Sequence, residues 1–560
     1  MRLTRLLFAT AALLAFTSAV VANDTSLFRA PNMDSITMGD VKGDVYFLAS
    51  DEMKGRETLR AESDITAQYV RNRFERAGVE PAGEDGGWWQ NVKLKYREWQ
   101  GKPGIRFERD GQTVELKYEE DFVSTGGAET SVKLDAAEIA FVGYAINDPE
   151  RGYDDISGAN LSGKIALMLR YEPSAWRQGG RRNPFSRHSY LQTKEALCRA
   201  AGAVAILMVT GPESLGGSDN DRQLPSPEAA EKSPPLSLDL PEGERGDASL
   251  PFFHISVSAC DELLGGEGET GRVQRAFDSA DLAARPDLSA LRLNLAAESR
   301  EVHDTCRNVA GMIRGELDEW IIFGAHHDHL GYGYFGSRDR ERMGEIHNGA
   351  DDNASGVATV LEIAEAMAES GVKPRRSFLF LTFTGEEKGL LGSRWYVRHP
   401  LVPHDKVYAM INIDMIGRIE NKTIGLQGTQ CSKLIDRHCR DVAPLFPQLK
   451  VQFSDRPPPA ASDHWPFYSE AGIPVFFPFG GVNQWMHTAG DDPETINYDD
   501  MLPVIKMLYE IGWRLSEEQQ YADCTGPVKE AIGPDGKLRD PLVKPASDPD
   551  EEHEEEFSRE

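Results

Sequence analysis

A short apolar run that stops at a cluster of imidazoles and carboxylates constrains this chain most. Ile321, Ile322 and Phe323 end at Gly324, and Ala325-His326-His327-Asp328-His329 follows at once. A continuous apolar run closed by glycine fits a buried parallel strand better than a helix. Asn348-Gly349-Ala350-Asp351-Asp352-Asn353 then leads through Ser355-Gly356 into Val357, Val360, Leu361 and Ala364, whose spacing is helical. Strand, polar turn and helix therefore bring two groups of potential metal ligands to the carboxyl edge of a sheet, where open α/β sheets bind ligands.

The pattern recurs downstream. Ser377–Phe383 runs into Thr384-Gly385-Glu386-Glu387, and Val407–Ile413 runs into Asp414. Ile473–Phe479 is followed by Gly480-Gly481 and then Trp485-Met486-His487-Thr488. Strands alternating with helical segments imply right-handed βαβ units. The fold class is α/β, a mostly parallel central sheet with helices on both faces. His326, Asp352, Glu387, Asp414 and His487 make a mixed nitrogen and oxygen set suited to borderline divalent ions such as zinc. Each has a plainer use alone: Asp352 can cap a helix, Glu386-Glu387 can be a solvated pair, and either histidine can be structural. Their joint placement at successive strand ends favours the metal. One catalytic zinc takes three protein ligands, whereas two ions sharing a carboxylate use all five groups.

At 560 residues the chain exceeds what one hydrophobic core serves. Residues 27–130 read as the N-terminal part of the catalytic domain, with helical patterns around Val41–Leu48 and from Ser63 or Asp64 to Gly78. Residues 136–300 read as an inserted small α/β module, and 301–520 as the catalytic domain proper. Residues 539–560 carry nine acids against three bases and read as a disordered acidic tail. The formal net charge of -29 argues against a nucleic-acid partner, which needs a basic face. Arg2 and Arg5 before an Ala/Leu-rich run, with Val20-Val21-Ala22 after it, read as a signal peptide over 1–22. The expected location is therefore periplasmic or extracellular, with no transmembrane segment. Six cysteines are too sparse for a disulfide scaffold, and Cys431 with Cys439 is the expected local pair.

His326-x-Asp328, Gly349–Gly356, Gly385–Ser393, Asn412–Met415 and His487-Thr488, in that order, resemble the co-catalytic zinc aminopeptidase family, whose relatives include glutamate carboxypeptidase, glutaminyl cyclase and the transferrin receptor. The resemblance covers about residues 308–516, and Leu48–Arg56 looks like the family's N-terminal segment. Phe141–Tyr144, Gly163–Leu167 and Lys194–Val204 resemble a protease-associated domain. The resemblance implies two zinc ions per chain and a water between them. His326 and Asp414 would hold one ion, His487 and Glu387 the other, and Asp352 would bridge. It further implies Glu386 as general base and Asp328 as acceptor of the His326 ring proton. His327, His329 and His347 receive no metal role. Met486 stands where relatives often carry a tyrosine that donates to the oxyanion, and His464 is a candidate replacement donor.

The expected activity is removal of N-terminal residues from peptides. Carboxypeptidase or glutaminyl cyclase chemistry on the same fold is the alternative, as is a receptor-like scaffold without catalysis. The complete ligand set plus base argues against the scaffold.

Overall fold

The computed structural model describes residues 29–520, apart from 110, 125–130, 177–185, 215–223, 225–226, 243–248 and 455–456. The signal segment at 1–22 and the acidic tail at 539–560 lie outside the described residues. The chain divides into two compact units. One comprises Met1–Asn91, Arg307–Tyr332 and Glu345–Glu560; the other comprises Val92–Cys306 and Gly333–Gly344.

In the first unit, seven strands lie side by side: β1 (Ser299–Ile313, from Arg307 onward), β3 (Arg376–Phe383), β2 (Leu317–His326), β4 (Val407–Asn412), β7 (Val475–Phe479), β5 (Thr423–Gln427) and β6 (Lys450–Phe453). β3, β2, β4 and β7 run parallel to one another, while β1 and β5 pair antiparallel with β3 and β7. Ile321, Phe323 and Ala325 enter one core with the helices Met38–Leu48, Ala61–Ala77, Ser355–Ser370 and Tyr498–Glu517. Trp320 and Ile322 enter a second core with Tyr396, Val397, Phe467 and Tyr468. Successive side chains point to opposite faces of a strand. Because both faces are covered, these strands read as unbroken apolar runs rather than alternating ones.

The helix Ala61–Ala77 stops where Gly78 adopts φ 84, a left-handed cap that glycine reaches without a Cβ penalty. Thr37 starts the helix Met38–Leu48 by accepting from the Asp40 amide.

The second unit holds an eight-stranded sheet. Val132–Phe141, Ile165–Leu169, Ala205–Val209 and Phe252–Ile255 form its parallel centre. Its boundaries differ from those expected at 136–300. Gly104–Arg109 pairs with Arg292–Ala297, and Phe122–Ser124 pairs with Phe252–Ile255, so both earlier strands belong to this sheet.

The expected Cys431–Cys439 pair does not form. Cys431 packs with Val475 and Tyr468 in one core, whereas Cys439 faces the other with Ile435 and Val442. Cys198, Cys260 and Cys439 are free, and all five described cysteines are buried. Among the described residues no helix is long and apolar enough to cross a membrane.

Candidate metal centre

The strand order explains how distant residues meet. Adjacent strands β3, β2, β4 and β7 end on one edge of the sheet. At or past those ends lie Glu386 and Glu387, His326, Asp414 and His487, respectively. Asp352 joins them from the turn Ala350–Ala354 that opens the helix Ser355–Ser370.

Asp352 is the hub. Its Oδ1 is 3.2 Å from His326 Nε2, and its Oδ2 is 3.1 Å from His487 Nε2. His326 Nε2 is also 3.4 Å from Asp414 Oδ1, and His487 Nε2 is 3.2 Å from Glu387 Oε2. Ligand atoms about 2.0–2.1 Å from a tetrahedral zinc stand roughly 3.3–3.4 Å apart. The four separations fit that spacing. Buried His326 Nε2 and Asp414 Oδ1 also have no hydrogen-bond partner, and both point into the same triad with Asp352. Unsatisfied buried polar atoms are costly, and an ion placed among these would relieve them. The residues present therefore fit a zinc-type ion on each side of Asp352.

Supporting contacts fix the ligands. The amides of Asp351 and Asp352 both donate to Asp491, each at 3.0 Å. Asp351 accepts from the Gly417 amide at 2.8 Å and from Asn483 Nδ2 at 2.8 Å. Asn483 Oδ1 in turn accepts from the Trp485 and Met486 amides, which tethers the loop carrying His487. Asn412 donates to Ser462 at 2.8 Å, and Ser462 donates to Asp414 Oδ2 at 2.7 Å, leaving Oδ1 for the cage.

Asp328 acts differently from expectation. His326 Nδ1 is 3.1 Å from its main-chain carbonyl but 3.8 Å from its carboxylate. That carboxylate is taken up by the Thr58 hydroxyl at 2.8 Å and the Glu386 amide at 3.1 Å. The carbonyl still fixes the tautomer, leaving Nε2 to face Asp352.

His329 is the residue sequence reasoning missed. It is buried, its Nδ1 is 2.7 Å from Glu387 Oε1, and it belongs to a second potential ligand group with Asp352 and Glu387. A 2.7 Å separation marks a direct hydrogen bond rather than two atoms spaced by an ion. His329 thus turns Glu387 so that Oε2 faces His487. Its position directly after Asp328, just past a strand end, was the available signal.

The remaining histidines stand outside the cage. His327 Nδ1 meets Thr382 Oγ1 at 3.1 Å, and burial, with His326 and Arg56 nearby, pulls the ring down to about 3, so it stays neutral. His347 Nδ1 pairs with the Glu345 carbonyl. His464 cannot serve as the oxyanion donor: Nε2 is 2.8 Å from the Pro459 carbonyl, and its ring stacks on Phe477. Its proton is committed to that carbonyl.

The cage is strongly anionic. Burial opposes charge on His487, but Glu387 and Asp352 outweigh it and push the imidazole up to about 12. Burial likewise opposes a charged Glu387, yet His487 and the hydrogen bond from His329 pull it down to about 2. Burial, with Glu387, Asp463 and Asp414 adding repulsion, raises Glu386 well above an ordinary carboxylate. A pocket that draws positive charge this strongly is suited to cations.

A probable leucine aminopeptidase of Arthroderma otae is 26% identical over 212 residues, covering 36% of this chain and 55% of that protein. A probable glutamate carboxypeptidase of Zea mays is 28% identical over 331 residues, covering 53% of this chain and 43% of that protein. The chain thus spans about half the length of these curated relatives. Among solved structures, an aminopeptidase from Aneurinibacillus sp. strain AM-1 aligns over 90% of this chain and 98% of its own, with TM-score 0.53 and 17% identity. BSAP, a zinc aminopeptidase from Bacillus subtilis, aligns over 87% of this chain and 98% of its own, with TM-score 0.50 and 17% identity. At that identity the likeness is one of fold. Residues 308–511, which contain every candidate ligand of the cage, match the model of Peptidase family M28.

Proposed function

We propose that this chain is an exported zinc aminopeptidase that removes N-terminal residues from peptides. Two zinc ions per chain would be held by His326 and Asp414 on one side, His487 and Glu387 on the other, and Asp352 between them. The observation that carries the reading is Asp352, whose two oxygens stand 3.2 and 3.1 Å from His326 and His487, each of which also has a second carboxylate within 3.4 Å. When bound, the ions would polarise the scissile carbonyl and make water a nucleophile at neutral pH.

The chain's own residues would manage the protons. Glu386 is the general base, taking a proton from the attacking water and passing it to the leaving amine. Its backbone amide is anchored by Asp328, so its carboxyl group is set beside the cage while Glu387 turns into it. The Arg2/Arg5 pair and the apolar run from Leu6 support export.

The charge balance favours an amino over a carboxyl terminus. Among the described residues, the buried cations packed around the cage are committed: Arg56 to carbonyls, Lys388 to Glu57 at 3.1 Å, and Arg418 to Asp491 at 3.0 Å. A substrate carboxylate would find repulsion there, whereas an α-ammonium group would find attraction. Turnover of aminoacyl-nitroanilides beside N-acetylated and C-terminal-residue substrates tests the reading. Cleavage of the free-amino substrates is expected; a preference for C-terminal residues would replace aminopeptidase by carboxypeptidase.

A further inference from the structure

Four consecutive residues near the N-terminus, Gly55-Arg56-Glu57-Thr58, each bind a segment that carries or flanks the cage. Gly55 adopts φ +67, and a Cβ there would stand 2.3 Å from the His347 carbonyl and 2.6 Å from that of Gly331. No side chain fits. The Gly55 carbonyl accepts from the Gly331 amide at 3.0 Å. Buried Arg56 donates from Nε to the His327 carbonyl at 3.0 Å, from Nη1 to the Asn348 carbonyl at 2.7 Å, and from Nη2 to the Gly349 carbonyl at 3.0 Å. Nη1 also reaches the Leu48 carbonyl. Glu57 holds Lys388, the residue after Glu387, and Thr58 holds the Asp328 carboxylate.

Arg56 lies 271 positions before His327 in the chain, yet it spans the gap between the two turns that deliver His326 and Asp352. A buried guanidinium is costly unless its donors are satisfied and its charge is balanced. Here carbonyls take the donors, and Asp491, Asp328, Asp352 and Glu387 supply the balancing field. The planar fork matters because its nitrogens reach separate carbonyls at fixed spacing, which a single ammonium cannot do.

We propose that Arg56 is a positioning residue of the metal cage, fixing the separation of His326 and Asp352, with Thr58 fixing Glu386 through Asp328. This rests on the reading of the site as a zinc cage. The test measures the zinc dissociation constant, by competition with a chromophoric chelator, for wild type, Arg56→Lys and Arg56→Ala. Both variants should bind zinc at least about tenfold more weakly, and added guanidinium should restore part of the affinity of Arg56→Ala alone. A folded Arg56→Lys with wild-type affinity would overturn the proposal, as would an Arg56→Ala defect that guanidinium leaves unchanged.

If neither Arg56 variant folds, Thr58→Val decides. Its kcat should fall at least about threefold with KM within about twofold, and Thr58→Ser should recover it. An unchanged kcat in Thr58→Val would overturn the proposal. Absence of zinc binding by the wild type would instead remove the cage reading itself, leaving these outcomes distinguishable.

Discussion

Ser462 donates its hydroxyl to Asp414 Oδ2 at 2.7 Å, and that bond turns the other carboxylate oxygen toward His326 Nε2 at 3.4 Å. Outer hydrogen bonds of this kind hold a ligand's orientation before any ion arrives. Ser462→Ala should weaken zinc binding by about tenfold while leaving the fold intact. Chelator competition measures it; unchanged affinity would mean that Asp414 is oriented without Ser462.

Glu386 follows Gly385 on the turn after β3 and sits beside a ligand without being one in the proposed scheme. Glu386→Gln keeps the shape and removes the base. Zinc content should stay near the wild-type level while peptide hydrolysis falls by about a hundredfold or more. Full activity in this variant would take Glu386 out of the mechanism.

Chelation should abolish hydrolysis, and added zinc should restore it, because each oxygen of Asp352 stands beside a histidine nitrogen at a separation that suits two ligands of one ion. Native mass spectrometry of the zinc-loaded protein should find two ions per chain. A single ion at saturation would remove the bridging role of Asp352, and activity in metal-free protein would remove the metal from the chemistry.

Cys198, Cys260 and Cys439 are free and buried, and burial pushes the Cys198 and Cys260 thiols up to about 12. Buried protonated thiols react slowly. Reducing agent should therefore leave the melting temperature unchanged, and a thiol reagent should label these cysteines in denaturant but not in the native protein. A fall in melting temperature on reduction would point to a disulfide after all.

The turns that carry the candidate ligands were legible because each candidate is local to a strong signal. His326 closes an apolar strand, Glu387 and Asp414 lie within four residues of the ends of theirs, and Asp352 sits just before a helical repeat. Hydrophobic periodicity records burial on both faces of the sheet, and that is enough to locate strand ends. His329 was hidden because nothing local to it shows that the chain, after passing β2, brings its ring to Glu387. The cysteines misled for a related reason: closeness in sequence says nothing about which side of the sheet each thiol faces.

The sequence alone determined which residue types occupy the strand ends, since those follow from burial and spacing along a short stretch. The tertiary structure decided what joins them: the order β3-β2-β4-β7, the two oxygens of Asp352 facing different partners, and Arg56 reaching turns hundreds of residues away. Such contacts depend on the pairing and register of strands distant in sequence. A local pattern cannot encode that pairing, because many strand orders would bury the same apolar surface.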